Sequence, residues 1–197
     1  GLISLAEGKA EFSGSHLWDP ETDTYNTAYV RRLLPGKRTA LLCLAYRRQG
    51  LILPPGNPAH ISGLADLTQP GVLFINRQSG SGTRVWLDAT LRQEGIEAAS
   101  INGYSNQVST HTAVATAVAE GQANVGFGLE ASSLTFGLTF LPLVSERYDL
   151  VIPEDNFQNP ALQNLASWLN SSSAQEFIAT IGGYDPRSSG EIIWVES

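Results

Sequence analysis

The sequence predicts an α/β protein, and three observations carry that prediction. Nearly unbroken apolar runs, Ala40 to Tyr46 and Val72 to Ile75, read as strands of a sheet covered on both faces. Other stretches repeat apolar residues at helical spacing, as in Val108, Val114, Ala115 and Val118. Small polar and glycine residues join one kind to the other, above all in Asn76-Arg77-Gln78-Ser79-Gly80-Ser81-Gly82-Thr83-Arg84. Strands that alternate with helices in this way imply mostly parallel pairing.

Taken in order, Gly1 to Lys9 reads as the end of a helix, with Leu2, Leu5 and Ala6 on one side and Gly8 as its stop. Glu11-Phe12 is a short strand running into Ser13-Gly14-Ser15-His16, and a polar loop follows through Asp19-Pro20 to Thr24. Tyr29 to Leu34 is a short helix or turn. Thr39 to Arg47 is a strand, and Leu51 to Leu53 is a second extended piece. Pro54-Pro55-Gly56-Asn57-Pro58 makes a rigid turn, and Ile61 to Leu67 a short helix. A helix from about Arg84 ends at Gly95, a residue suited to the position after a helix. Ala99 to Ile101 reads as a strand, Ala113 to Glu120 as a helix and Ala123 to Phe127 as a strand. Leu134 to Gly137 is a brief helix or turn. Phe140 to Leu143 and Tyr148 to Pro153 are strands. Pro160 suits the first turn of a helix with Leu162, Leu165, Ala166 and Leu169 on one face. Phe177, Ile178 and Ile181 continue a second helical stretch, and residues 182 to 186 form a terminal loop.

A chain of 197 residues with 42% hydrophobic and 16% charged residues is one large domain or two small lobes with a normal core. No apolar run reaches the roughly 20 residues of a membrane span. No secretory leader is visible, although the chain opens at Gly1 without any Met, so an upstream segment is compatible. The single Cys43 excludes an internal disulfide framework and sits in an apolar run as a small hydrophobe. A net charge of −7 argues against a nucleic-acid surface. Any anion would therefore be held by local dipoles and single Arg residues, which screening over about 8 Å permits.

The turn from Ser79 to Arg84 is the chemically richest segment. Glycine-rich residues between a strand and a helix expose backbone N–H groups at a helix N-terminus. Such an end carries roughly half a positive charge and several unpaired donors. The segment is either an anion site or a plain cap with flexible glycines. It is not a phosphate loop of the nucleotide-binding kind, since Gly82 precedes Thr83 where a Lys is required. Gly126-Phe127-Gly128-Leu129-Glu130-Ala131 matches the dinucleotide fingerprint formally, but lacks a full strand-helix-strand unit and reads as close packing. One Cys and three separated His give no metal-ligand spacing, and no Gly-x-Ser-x-Gly elbow occurs. The acidic loop with Asp19, Glu21 and Asp23 reads as solvated.

The order of several short blocks resembles the type II solute-binding proteins. More narrowly, it resembles the periplasmic-binding-protein-like domain associated with molybdate-responsive regulators and molybdenum-cofactor biosynthesis proteins. The blocks are Gly14-Ser15-His16-Leu17 with Asp19-Pro20-Glu21-Thr22, Tyr46-Arg47 with Gln49-Gly50-Leu51, and Gly56-Asn57-Pro58. They continue with Asn76 to Arg84, Gly103-Tyr104, Thr110-His111 with Ala113-Val114-Ala115, and Glu146-Arg147-Tyr148-Asp149-Leu150. The resemblance implies a two-lobed fold with a ligand cleft, whose first lobe lacks its N-terminal strand-helix-strand. Lobe one would be residues 1–48 plus 149–197 and lobe two residues 70–142, with 49–69 and 143–148 as hinge and crossover segments.

The resemblance implies a binding and sensing module rather than an enzyme. Its ligand would be a small oxyanion, molybdate or tungstate first, or a molybdenum-cofactor-related compound. Such a module signals by lobe closure to a fused or partner DNA-binding or cofactor-biosynthesis domain. It needs no cofactor of its own. An oxyanion has acceptor oxygens and no donor, so it calls for hydroxyl and backbone N–H groups, each worth roughly 1.5–3 kcal/mol against a charged partner. The hydroxyl candidates are Ser15, Ser79, Ser81, Thr83 and Thr110, with Gly80 and Gly82 for close backbone approach. Arg84 offers a bidentate contact or an exposed first-turn cation. His16, His111, Tyr104 and Tyr148 are ligand contacts or packing residues. The expected site is cytoplasmic; an exported, periplasmic receptor of an ABC-type anion transporter is the alternative. A third reading is an enzyme on a phosphorylated or pterin substrate, with His111 or His16 as acid or base. Dimerisation over an exposed sheet edge also stays open.

Overall fold

The computed structural model describes residues 1–196. In chain order its elements are α1 (Leu2–Ala6), β1 (Ser13–Ser15), β2 (Trp18–Asp19), β3 (Thr24–Tyr25), α2 (Thr27–Leu33), β4 (Thr39–Leu53), β5 (Phe74–Arg77), α3 (Gly82–Gln93), β6 (Gln107–Val108) and α4 (His111–Ala119). They continue as β7 (Val125–Leu129), α5 (Glu130–Thr135), β8 (Thr139–Pro153), α6 (Glu154–Phe157), α7 (Pro160–Leu169), α8 (Ser172–Thr180), β9 (Tyr184–Asp185) and β10 (Ile192–Val195). Two short 3₁₀ turns, Leu64–Thr68 and Ala98–Ser100, lie between them. The chain divides into two compact units, Gly1–Arg47 with Glu146–Ser197, and Arg48–Ser145.

In the first unit β1 pairs with β8, while β9 and β10 both pair with β4, all antiparallel. Two apolar clusters hold it. One gathers Leu42, Leu150 and Ile152 of the sheet with Phe157, Leu162 and Leu169. The other sets Leu41, Val151 and Val195 against Leu2 and Leu5 of α1, Val30 of α2 and Leu34 just after it. Asn159 caps α7 by accepting from the Ala161 amide at 2.9 Å, and Pro160 fills the first turn, where its missing N–H costs nothing.

In the second unit β5 runs parallel to both β6 and β7, and β4 runs antiparallel to β7. Its core places Leu51, Leu53, Phe74, Val125 and Phe127 against Leu87, Leu91, Leu64 and Leu67. A smaller cluster packs Val114, Ala115 and Val118 of α4 on Ile52. Gly126 and Gly128 lie inside β7, where an added Cβ would meet Val114 and Ile52 respectively. The dinucleotide-like string is therefore a packing device.

The α/β class holds, and several element readings change. β5–β6 and β5–β7 are parallel, while β1–β8, β10–β4, β9–β4, β2–β3 and β4–β7 are antiparallel. Parallel neighbours need a crossover connection, and α3 and α4 supply it between β5 and β7. Thr39–Arg47 and Leu51–Leu53 are one 15-residue strand, as are Phe140–Leu143 and Tyr148–Pro153. Of the polar residues that interrupted the apolar pattern, Arg47, Gln49, Glu146 and Arg147 are buried, whereas Arg48 stays exposed and pairs with Glu130. Ala98–Ser100 is a 3₁₀ turn, and the strand lies later, at Gln107–Val108. The extended stretch after Glu11 begins only at Ser13, and the acidic loop closes as the β2–β3 hairpin.

Candidate functional site

Two strand-to-helix turns of the second unit stand at the same sheet edge. β5 pairs in parallel with β6, Asn76 opposite Gln107 and Arg77 opposite Val108, so both strands end on the same side. Each then turns into a helix whose first residue is preceded by a hydroxyl cap. Ser81 Oγ accepts from the Arg84 amide at 3.3 Å, and Thr110 Oγ1 accepts from the Ala113 amide at 3.0 Å. Each hydroxyl keeps its own proton for donation outward. The loops are tied together. The Gln78 amide donates to the Val108 carbonyl at 3.0 Å, and the Ser79 amide to Gln107 Oε1 at 3.0 Å. Gly80 takes φ 81°, which lets the chain turn sharply into α3.

Arg77 lies beneath this pair of turns. It is buried, and its Nη2 donates to the Ser109 carbonyl at 2.9 Å, just ahead of α4. A full positive charge thus joins two positive helix ends. The amides of Gly82 and Thr83 have no intrahelical acceptor, being the first two of the helix. Thr83 is buried, and its Oγ1 has no hydrogen-bond partner among the described residues. His111 opens α4 with Nδ1 buried toward Gly128, where an added Cβ would sit 3.5 Å away.

Arg84 and Tyr104 are placed differently. Arg84 Nε meets Asp88 Oδ1 at 2.6 Å, Nη1 donates to the Arg77 carbonyl at 3.2 Å, and the guanidinium lies 4.2 Å from the centre of the Tyr104 ring. The Tyr104 hydroxyl donates to the same Asp88 oxygen at 2.5 Å. Burial pushes the Tyr104 phenol up, and its bond to the Asp88 carboxylate pushes it further. These three side chains satisfy one another on the flank of α3.

In the first unit, Ser15 and His16 close β1, and two buried networks fix that turn. Asn26, at φ 66°, donates from Nδ2 to the Ser15 carbonyl at 3.2 Å and to Asp149 Oδ2 at 2.7 Å, and its Oδ1 accepts from the Leu17 amide at 2.8 Å. Asp149 also accepts from Arg147 Nε at 2.8 Å, and Arg147 Nη1 reaches Glu191 at 2.7 Å. Burial raises the Asp149 carboxyl, with the Arg147 charge opposing. In the second network Arg47 pairs with Glu146, whose other oxygen lies 3.1 Å from His16 Nδ1. The Arg47 guanidinium stacks 4.1 Å over the Tyr148 ring, and that ring tilts against His16 with centroids 5.8 Å apart. An added Cβ on Gly14 would strike the Tyr148 hydroxyl, so Gly14 is what lets the tyrosine lie there.

The structure thus gathers Ser79 to Thr83, Thr110 and His111 in the second unit, and Ser15, His16 and Tyr148 in the first. Sequence reading gave no site role to Arg77, Arg47, Glu146 or Asn26. The available signal was a charge inside an otherwise apolar strand, which is costly unless paired. Among the described residues, no group of three or more His, Cys, Asp or Glu could hold a metal ion. No helix of the described residues is long and apolar enough to cross a membrane.

Comparison with known proteins agrees with this architecture. Residues 1–170 match the model of the PBP superfamily domain. YvgK of Bacillus subtilis (strain 168) is 36% identical over 192 residues, covering 98% of this chain and 62% of YvgK. The chain thus spans less than two thirds of that relative's length. A phosphate ABC transporter substrate-binding protein with bound phosphate, from Clostridium perfringens, superposes with a TM-score of 0.65 at 15% identity, covering 94% of this chain and 82% of that one. The substrate-binding domain of a molybdenum ABC transporter from Clostridium difficile gives 0.62 at 16% identity, covering 93% and 81%. At such identities the likeness is one of fold. With the family match over most of its length, this chain belongs to the PBP superfamily domain family, the ligand-binding fold of solute-binding proteins.

Proposed function

We propose that this protein binds a small tetrahedral oxyanion, molybdate or tungstate first, and senses it for a fused or partner domain. The observation that carries the reading is the pairing of the α3 and α4 starts on adjacent parallel strands, with Arg77 bridging toward Ser109. Hydroxyls of Ser79, Ser81 and Thr110, and amides from Gly80 to Thr83, are the donors of this set. The Ser15–His16 turn with Tyr148 is the second donor set of the proposal, tested by its own variants. Arg84 and Tyr104 act in this reading as the brace of α3, because Asp88 engages both. In this reading the site acts as a binder, offering charge complementarity to an anion.

Calorimetry with molybdate, tungstate, sulfate and phosphate tests the proposal, and absence of heat with all four removes it. Ser81→Ala should weaken binding by about tenfold or more, the worth of one hydrogen bond to a charge. Because Ser81 also caps α3, Ser81→Asp is the companion variant. Asp caps as well as Ser, so the fold should persist while the added charge repels the anion. Full affinity in Ser81→Asp would place the ligand elsewhere.

A second reading is an exported receptor for an ABC-type anion transporter. It rests on the likeness to the phosphate and molybdenum transporter proteins. A secretory leader in the full reading frame supports it, and retention of the protein in the cytoplasm of its host counts against it.

A further inference from the structure

The last two helices of the first unit carry a surface unlike the rest of the chain. Residues 160–183 contain a single charged side chain, Glu176, in a protein that is 16% charged overall. Exposed apolar groups collect there. Trp168 of α7 is 44% exposed and Phe177 of α8 is 57% exposed, and their ring centroids lie 6.4 Å apart. Ile181, which ends α8 one turn beyond Phe177, is 37% exposed. Asn164 and Ser173, one turn before Trp168 and Phe177, are exposed and uncharged. The helices do not need this face to stay in place, because Leu162, Ala166, Leu169 and Ile178 hold them on the sheet. Single exposed apolar side chains are ordinary. A contiguous aromatic group inside an uncharged polar rim is the chemistry of an interface core.

We propose that this face docks a second copy of the chain, as a weak two-fold dimer centred on Trp168 and Phe177. The inference stands independently of the oxyanion reading. Charge chooses the occupant. With a net charge of −7, two copies repel each other, and the repulsion is least where the surface itself carries no charge. In a two-fold contact the same patch serves both sides. A patch of one sign would oppose its own copy, whereas an uncharged one is complementary to itself. The same lack of charge gives an acidic or basic foreign partner nothing to select. Area sets the strength. A covered aromatic side chain buries about 150–250 Å², so the exposed parts of these three side chains supply about 300 Å² per copy. Homodimer interfaces are about two-thirds apolar, so the two copies together bury about 900–1,000 Å². That is the low end of specific interfaces, where association is transient and depends on concentration.

Sedimentation velocity of the intact protein, from about 1 to 500 µM, tests this. The sedimentation coefficient should rise with concentration toward that of a dimer. Added salt should strengthen association, by screening the repulsion between two acidic copies. Trp168→Glu and Phe177→Glu each place a charge against its own copy, and each should weaken the dimer about tenfold or more. Both should keep the melting temperature of the unaltered protein, since the two side chains are exposed. Leu134→Glu alters an exposed apolar side chain on α5 of the other unit, and it should leave the dimer intact. A monomer at every concentration overturns the inference. So does a dimer that salt weakens, or one that Leu134→Glu weakens equally. A dimer that survives both aromatic substitutions assigns association to another face, such as an open sheet edge, and also overturns it. A monomer that cosediments with phosphatidylcholine vesicles, and loses them in Trp168→Glu, assigns the face to a lipid surface instead.

Discussion

Local chemistry made some residues legible and hid others. Ser81 and Thr110 were readable because capping involves only the next three residues, and both hydroxyls do cap. Arg77 was not readable as a site residue, since its partner is the Ser109 carbonyl in a different loop. The same holds for Glu146, whose partners Arg47 and His16 are remote in sequence. Removing Arg47 or Glu146 would strand the buried charge of the other, so either change should be strongly destabilising. Cys43 was read as a small hydrophobe, and it is fully buried. Burial pushes its thiol from an ordinary 9.0 up to about 12. The sign follows from that direction. The folded state holds the proton more tightly, so the contribution to stability is intact below pH 9.0 and is lost as pH rises toward about 12. Cys43 should therefore resist iodoacetamide in the native protein at about pH 8 and react once unfolded. Mass spectrometry after brief labelling reads this, and rapid native alkylation would contradict the burial.

Elements were legible where one face or one cap defined them. The helices α3, α4 and α7 follow apolar spacing and caps, and they form where those signals stood. The long strands β4 and β8 were read in halves, because Arg48 to Gly50 and Val144 to Arg147 look like loop residues. Side-chain pairing and close strand packing decide those stretches, and neither is local. Gly50 shows the point. A Cβ there would run into the backbone carbonyl of Leu141, so β4 and β8 approach each other only because the position is glycine. At Gly128 a Cβ would meet the flexible end of Ile52 at 2.9 Å. Gly50→Ala should cost about 1–3 kcal/mol of stability. Gly128→Ala should cost less, under about 1 kcal/mol, since a side-chain tip can move where a carbonyl cannot. Urea midpoints of the two variants compare them, and equal losses would refute the distinction.

At the scale of the whole molecule, each of the two units has its own apolar core. Two strands, β4 and β8, run on from one unit into the other, so the units are joined along continuous backbone. With a net charge of −7, the global field repels an anion, so the proposed capture would fall to local dipoles and buried cations. If binding is sensed by closure, saturating molybdate should lower the radius of gyration measured by small-angle scattering. Sulfate or chloride that does not bind should leave it unchanged. An identical scattering curve with and without bound molybdate would remove the signalling part of the proposal and leave the binding part standing.

Sequence alone carried the α/β class, the capped helix starts and the acidic character of the chain. Those follow from periodicity, from caps that reach three residues and from composition. Tertiary structure alone decided that β5 and β6 end side by side, that Arg77 lies under both turns and that Glu146 faces His16. Partners 32 or more residues apart leave no local trace, because the energy that selects them is gained only when the sheet brings them together.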